Sequence, residues 1–266
     1  MNPTKRLNVL LAAAALGLAA CSDTTTPAIV NDAVVTADVV ATSGEAIAAD
    51  VGDLLGNELS VGLALPVAGG FNLFAGPPGR NVTRTRICFD AQNVAQTACD
   101  PVTTASIQFT VTVDDNITRT HDGPRGTESM NLAIHRTRQM TVSGLAGQET
   151  SRTHNGFGAS HDTTTFTGTR DGLTLTRIMA EASADSVQSV VFNLPHTSNP
   201  WPVSGSIVRN TAGSVDVTLG DRHETHSFTR RVTVTFPADA QGNVTITINA
   251  KTCQLNLVTH AVTGCI

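Results

Sequence analysis

Tyrosine is absent from this sequence, tryptophan occurs once and phenylalanine nine times in 266 residues. Stacked aromatic platforms, which normally carry carbohydrate affinity, are therefore excluded. Lysine is nearly absent as well: Lys5 and Lys251 stand against 15 arginines. The basic residues form no stripe and have no aromatic stacking partners, which argues against nucleic acid as a partner. The apolar run at residues 7–20 falls short of the roughly 20 residues a spanning helix needs. No phosphate-binding loop or dinucleotide fingerprint is found. The nearest approach to a nucleophile elbow, Gly158-Ala159-Ser160-His161-Asp162, lacks the second glycine and the strand-to-helix context.

What is present begins at the N-terminus, MNPTKRLNVLLAAAALGLAAC. Lys5 and Arg6 precede a short run of small apolar residues that ends at Cys21, the layout of a secretory signal. Residues 18–21, Leu-Ala-Ala-Cys, resemble the lipobox of bacterial lipoproteins. The resemblance covers only the first 21 residues. It implies a diacylglyceryl thioether on Cys21, cleavage just before it and attachment to a membrane through lipid. Two or three acyl chains, each buried methylene contributing about 0.8 kcal/mol, make a stable anchor. Ser22 follows the cysteine where an aspartate often marks inner-membrane retention, so the resemblance implies the outer membrane. An ordinary cleaved signal with an incidental Cys21 is the alternative. With Lys5 and Arg6 removed, 15 basic residues face 22 acidic ones, a net charge of −7.

Export bears on the remaining cysteines, because disulfides form outside the cytoplasm. Setting Cys21 aside leaves Cys88, Cys99, Cys253 and Cys265, an even number that allows three connectivities. The close spacing within each pair favours Cys88–Cys99 and Cys253–Cys265 as bridges across local hairpins. The competing reading of CQLNLVTHAVTGC at 253–265 is a metal held by Cys253, His260 and Cys265. Export favours the bridge.

Residues 21–30 read as a polar tether. Thr42-Ser43-Gly44-Glu45 has the form of a capping box, and Ile47, Val51, Leu54, Leu55 and Leu59 recur at helical spacing. They predict an amphipathic helix near 44–58, extendable back through Val34–Val40, within a helical segment at 31–60. Its polar face would carry Glu45, Asp50 and Asp53. Residues 61–79 read as a Gly/Pro-rich connection. From about residue 80 to 266 the period becomes two, with Ile107, Phe109, Val111 and Val113 alternating with threonines, as do Val232–Phe236 and Val244–Ile248. One-sided strands belong to antiparallel sheets. Turns are expected at Asp122-Gly123, Asn155-Gly156, Asp171-Gly172, Gly213-Ser214 and Gly242-Asn243. The fold class expected is mainly β: an antiparallel sandwich or curled half-barrel of about ten strands with one N-terminal helix.

No catalytic residue, cofactor or metal site is assigned. A loop-built metal site would use His154, His161 and Asp162, which share the stretch HNGFGASHD. His223 and His226 are offset by three inside a strand-like segment, so they face opposite sides. Asp114-Asp115-Asn116 could offer oxygens to a hard cation at a strand end. Trp201, between two prolines, is expected as a packed anchor. The expected function is a lipid-anchored cell-envelope protein that binds or scaffolds a partner and catalyses nothing. Two alternatives are a carrier of an apolar ligand in a half-open barrel and a metal-dependent hydrolase using loop histidines.

Overall fold

The computed structural model describes residues 28–60, 81–100, 102–123, 126–145, 149–194 and 199–265. The signal segment, Cys21 and the 61–79 connection lie outside these residues. Among them, one helix, α1 (Asp32–Ser60), precedes eleven strands. These are β1 (Asn81–Phe89), β2 (Ala95–Gln96), β3 (Ser106–Gly123), β4 (Gly126–Ser143), β5 (Ser151–Arg170), β6 (Leu173–Asn193), β7 (Ser204–Leu219), β8 (Arg222–Thr235), β9 (Asn243–Ile248), β10 (Lys251–Asn256) and β11 (Val262–Thr263).

All eleven form one antiparallel sheet that does not close, in the order β11-β10-β9-β8-β7-β6-β5-β4-β3-β1-β2. Strands as far apart in that order as β3, β7, β8 and β11 all touch α1. The sheet therefore curls around the helix, which fills its concave side: the curled half-barrel. Tight turns join several strands. Asp171 and Gly172, at φ 52° and 77°, link β5 to β6, and Gly242, at φ 78°, sits before β9.

The strands run longer than the turn residues suggest. Asn155-Gly156 and Gly213-Ser214 are not turns; they lie inside β5 and β7. Glycine is used there for close approach: a Cβ on Gly213 would stand 2.2 Å from the Ala180 carbonyl oxygen, and one on Gly156 2.5 Å from that of Gln139. At His154/Gly156 the register with β6 also shifts, as at a bulge. Likewise Asp114-Asp115-Asn116 lies within β3, not at a strand end, and Asp114 pairs with His135.

The helix fills the segment expected at 31–60 but differs from expectation in its cap and in its polar face. It begins at Asp32, capped by Asn31, whose Oδ1 accepts the Val34 N–H at 3.2 Å. Thr42, expected as the cap, lies mid-helix and donates its hydroxyl to the Val39 carbonyl at 3.2 Å. Burial also reaches further back than the expected tether allows, for Ile29 and Val30 are buried. The chain is pinned at Ile29, whose N–H donates to Glu224 Oε2 at 2.8 Å and whose carbonyl accepts from Arg170 at 2.6 Å.

The second difference concerns the polar face. Glu45, Asp50 and Asp53 do not face water; all three are buried, as is Asp38. Sheet arginines meet them. Arg136 Nη1 donates to Asp50 at 2.5 Å, Arg138 also pairs with Asp50, Arg84 reaches Asp53 at 2.8 Å, and Arg177 clasps Asp38. Deeper in the sheet, Arg209, fully buried, donates to Asp162 at 2.6 Å and Glu181 at 3.0 Å. Asp185 lies between Arg209 and Arg138, at 3.4 and 3.1 Å. A belt of buried charge thus divides the concave face into apolar clusters. Ile29, Val34 and Val39 meet Met179, Val217 and Phe228 in one. Ile47, Val51 and Leu54 meet Phe109, Ile207, Val244 and Trp201 in another.

Candidate functional site

A cavity of about 670 Å³ opens where the sheet fails to close, between α1, the end of β3 and the terminal β10–β11 hairpin. Its existence follows from small side chains on one flank of the helix. Ala33, Ala37 and Ala41 recur at four-residue spacing, and Thr36, Val40 and Glu45 lie beside them. Most of the helix is buried, but Ala33, Thr36, Ala37 and Ala41 are at least partly exposed. Met130, Ile248 and Val262 complete the apolar lining.

The terminal hairpin forms the opposite wall. Cys253 is bridged to Cys265 with their Cα atoms 4.2 Å apart, and Cys88 is bridged to Cys99 at 5.3 Å. The bridge, not a metal, accounts for the cysteines of CQLNLVTHAVTGC. Asn256 shapes the turn, its Oδ1 accepting the N–H groups of Val258 and Thr259 at 3.0 and 2.9 Å. His260 adopts φ 61° there. The hairpin approaches the helix at Gly44, where a Cβ would stand 3.0 Å from Val262 Cγ2.

One polar cluster bridges the gap. Glu45 Oε1 lies 2.6 Å from Arg119 Nε, and Glu45 Oε2 lies 2.6 Å from His260 Nδ1. Arg119 Nη2 is 3.2 Å from the same ring nitrogen. Nδ1 cannot both donate to Glu45 and accept from Arg119, and the shorter contact to a carboxylate assigns the proton to Nδ1. Helix, β3 and hairpin are tied together by this one buried carboxylate. A carboxylate on Nδ1 is also how a general-base histidine is held. The described lining residues, however, include no serine and no free cysteine to act as nucleophile. The remaining lining charge is Lys251, exposed at the first position of β10 and without an ion pair among the described residues.

The histidines singled out by sequence do not converge. HNGFGASHD is not a loop but part of β5. His154 and Asp162 are buried on the concave face, eight residues apart along the strand, and His161 is exposed on the other face. His154 packs edge-on against Phe192 at 5.2 Å, and Asp162 belongs to the charge belt around Arg209. His223 and His226 lie in β8, three residues apart. Trp201 is buried in the main apolar cluster, as expected of an anchor.

Sequence reading missed Glu45, Arg119 and Lys251. Three of the relevant signals were visible: alanines at 33, 37 and 41 along a helix, an arginine at the end of a long strand, and the lone lysine. Only the fold brings them to one cleft. In comparisons with known proteins, no family model matches the chain, and no curated protein or solved structure matches it either.

Proposed function

We propose that this chain is a lipid-anchored protein of the bacterial cell envelope that binds an apolar or amphipathic ligand in the cleft beside α1 and does not transform it. The observation that carries the reading is the cavity of about 670 Å³ along the alanine flank of the helix, within the ~300–1,000 Å³ typical of small-molecule sites. Glu45, Arg119 and His260 in its wall hold one another in place. The binding site is a groove between helix and hairpin, because the helix itself occupies the hollow of the half-barrel.

The anchor supports the same reading. Cys21 precedes the pinned Ile29 by eight residues, which span at most about 29 Å when extended. Lipid on Cys21 would hold the start of α1, and with it the cleft, close to a bilayer. Ser22 after the cysteine favours the outer membrane.

Two measurements test this. Mass spectrometry of protein from the membrane fraction should find acylated Cys21 at the N-terminus, and Cys21→Ala should leave the protein unprocessed; an unmodified Cys21 in the wild type overturns the anchor. Titration of the chain from Ser22 onward, which lacks the lipidated cysteine, with the neutral fluorophore N-phenyl-1-naphthylamine should saturate at one site per chain. Ala41→Trp, which fills the cleft, should abolish it. Unsaturable binding, or binding indifferent to Ala41→Trp, rejects the cleft as a ligand site.

A further inference from the structure

We infer that the ligand of this cleft is a single-chain anionic amphiphile whose carboxylate or similar headgroup is held by Lys251. The inference rests on the cleft being a binding site and adds the class of molecule it takes.

The argument is one of charge and shape. Four titratable residues line the cavity: Glu45, Arg119, His260 and Lys251. The Glu45 carboxylate is shared between Arg119 and His260, each at 2.6 Å. Lys251 is left over as an uncompensated cation, in a chain that carries 22 acidic residues and whose only other lysine is Lys5. In a protein of net negative charge, a net positive cleft selects for negative charge.

Lys251 stands at one end of an apolar channel. Just before it, Asn249 Oδ1 accepts the Arg231 N–H at 3.2 Å, and the neighbouring Arg230 pairs with Asp32, so this end lies near the first turn of α1. At the other end, Leu255 and Val262 approach Gly44, beside the Glu45 cluster. Between the two run Ala37, Val40 and Ala41, with Met130 and Ile248 also in the lining. A headgroup at Lys251 would leave its chain lying along the alanines. A cavity of about 670 Å³ matches the bulk of one long acyl chain and is too small for a two-chain phospholipid. Lysine carries its ammonium on a flexible apolar stem, which suits a rim position between water and chain.

The experiment is displacement of N-phenyl-1-naphthylamine from the same chain, Ser22 onward, by dodecanoate and by dodecanol, which share a hydrocarbon chain and differ in charge. Dodecanoate should displace the probe at concentrations at least tenfold lower than dodecanol. Lys251→Met should erase that difference, and Lys251→Arg should keep it. Equal displacement by acid and alcohol in the wild type, or a preference that survives Lys251→Met, overturns the assignment of the headgroup while the cleft stands as an apolar site. Failure of the probe itself to bind brings down the binding reading, and this inference with it.

Discussion

Arg177 of β6 clasps Asp38 of α1 through two parallel hydrogen bonds, Nε to Oδ2 and Nη2 to Oδ1, both 2.7 Å. The same guanidinium donates to Glu128 of β4 at 2.6 and 2.5 Å and lies over the Phe166 ring at 4.9 Å. A planar fork with both partners fixed sets how far the helix slides and turns within the sheet.

Removing one member of such a buried set strands the others. Asp38→Ala should lower stability by about 3–5 kcal/mol, the usual range when a buried pair is broken from one side. Urea unfolding followed by fluorescence of the single tryptophan, buried Trp201, reads this directly. A loss below about 1 kcal/mol, the range of exposed pairs, would mean that the clasp is not buried in solution.

The two acids beside Arg209 should respond oppositely to pH. Burial pushes Glu181 above its ordinary value of 4.5, and Arg209 does not bring it back. Burial acts the same way on Asp185, but Arg209, Arg138 and Arg136 outweigh it and hold that carboxyl below 3.8. A raised carboxyl binds its proton more tightly when folded, so its contribution is complete below 4.5 and lost as pH rises through the raised value. Asp185 contributes above 3.8, and that contribution disappears as pH falls through the depressed value. Glu181→Gln should therefore flatten the limb just above pH 4.5, and Asp185→Asn should weaken the limb below 3.8. Urea midpoints across pH that keep both limbs in both variants would refute the assignment.

Two helix glycines make a matched pair. Gly52 has nothing within 4 Å of a built Cβ, so Gly52→Ala should stabilise by about 0.5–1 kcal/mol. Gly44→Ala gains the same helix propensity but sets its methyl against Val262, so its net gain should be smaller or negative. Gly44→Leu should force the terminal hairpin outward and speed reduction of Cys253–Cys265 by a mild thiol. Equal effects of alanine at both positions would show that the hairpin does not pack on the helix.

The histidines of β5 should separate by face. His154→Ala, which empties a buried site against Phe192, should cost about 2–4 kcal/mol. His161→Ala, on the exposed face, should stay within about 0.5 kcal/mol of wild type. Stoichiometric zinc in the purified protein that is lost in both variants would contradict their placement on opposite sides of the sheet.

Much of the architecture is legible as alternation. The period-two runs and the Asp171-Gly172 turn can be read directly, and the spacing of the cysteines favours the pairs found. Strand length is not, because Asn155-Gly156 and Gly213 carry turn residues for a different reason, the close approach of neighbouring backbones. The interior charge was hidden by reading acidic helix residues as a wet face. A signal was nevertheless present: in β4 the buried phase runs Met130, Leu132, Ile134, Arg136, Arg138, Met140, Val142 without a break. In β6 it runs Leu175, Arg177, Met179, Glu181, Ser183, Asp185, Val187. Charged residues standing in an apolar phase announce partners across the core, and Asp38 and Asp50 are two of them. The cleft was less accessible, since Lys251 and Ala37 are more than 200 residues apart and meet only when the sheet curls.

An open sheet has two borders, and an exposed border is a template on which a second chain can add its own strand. Here each border ends in a strand of only two residues, β2 or β11, and each of these hairpins is closed by a disulfide. The parts of β1, β3 and β8 that no described strand covers carry Arg84 and Arg86 in the first, Asp115 and Arg119 in the second, and Arg222, His223, Glu224, His226, Arg230 and Arg231 in the third. Short, cross-linked ends and charged margins are devices that stop a sheet from growing from molecule to molecule. The opening that forms the cleft can thus remain open without inviting self-association into fibres.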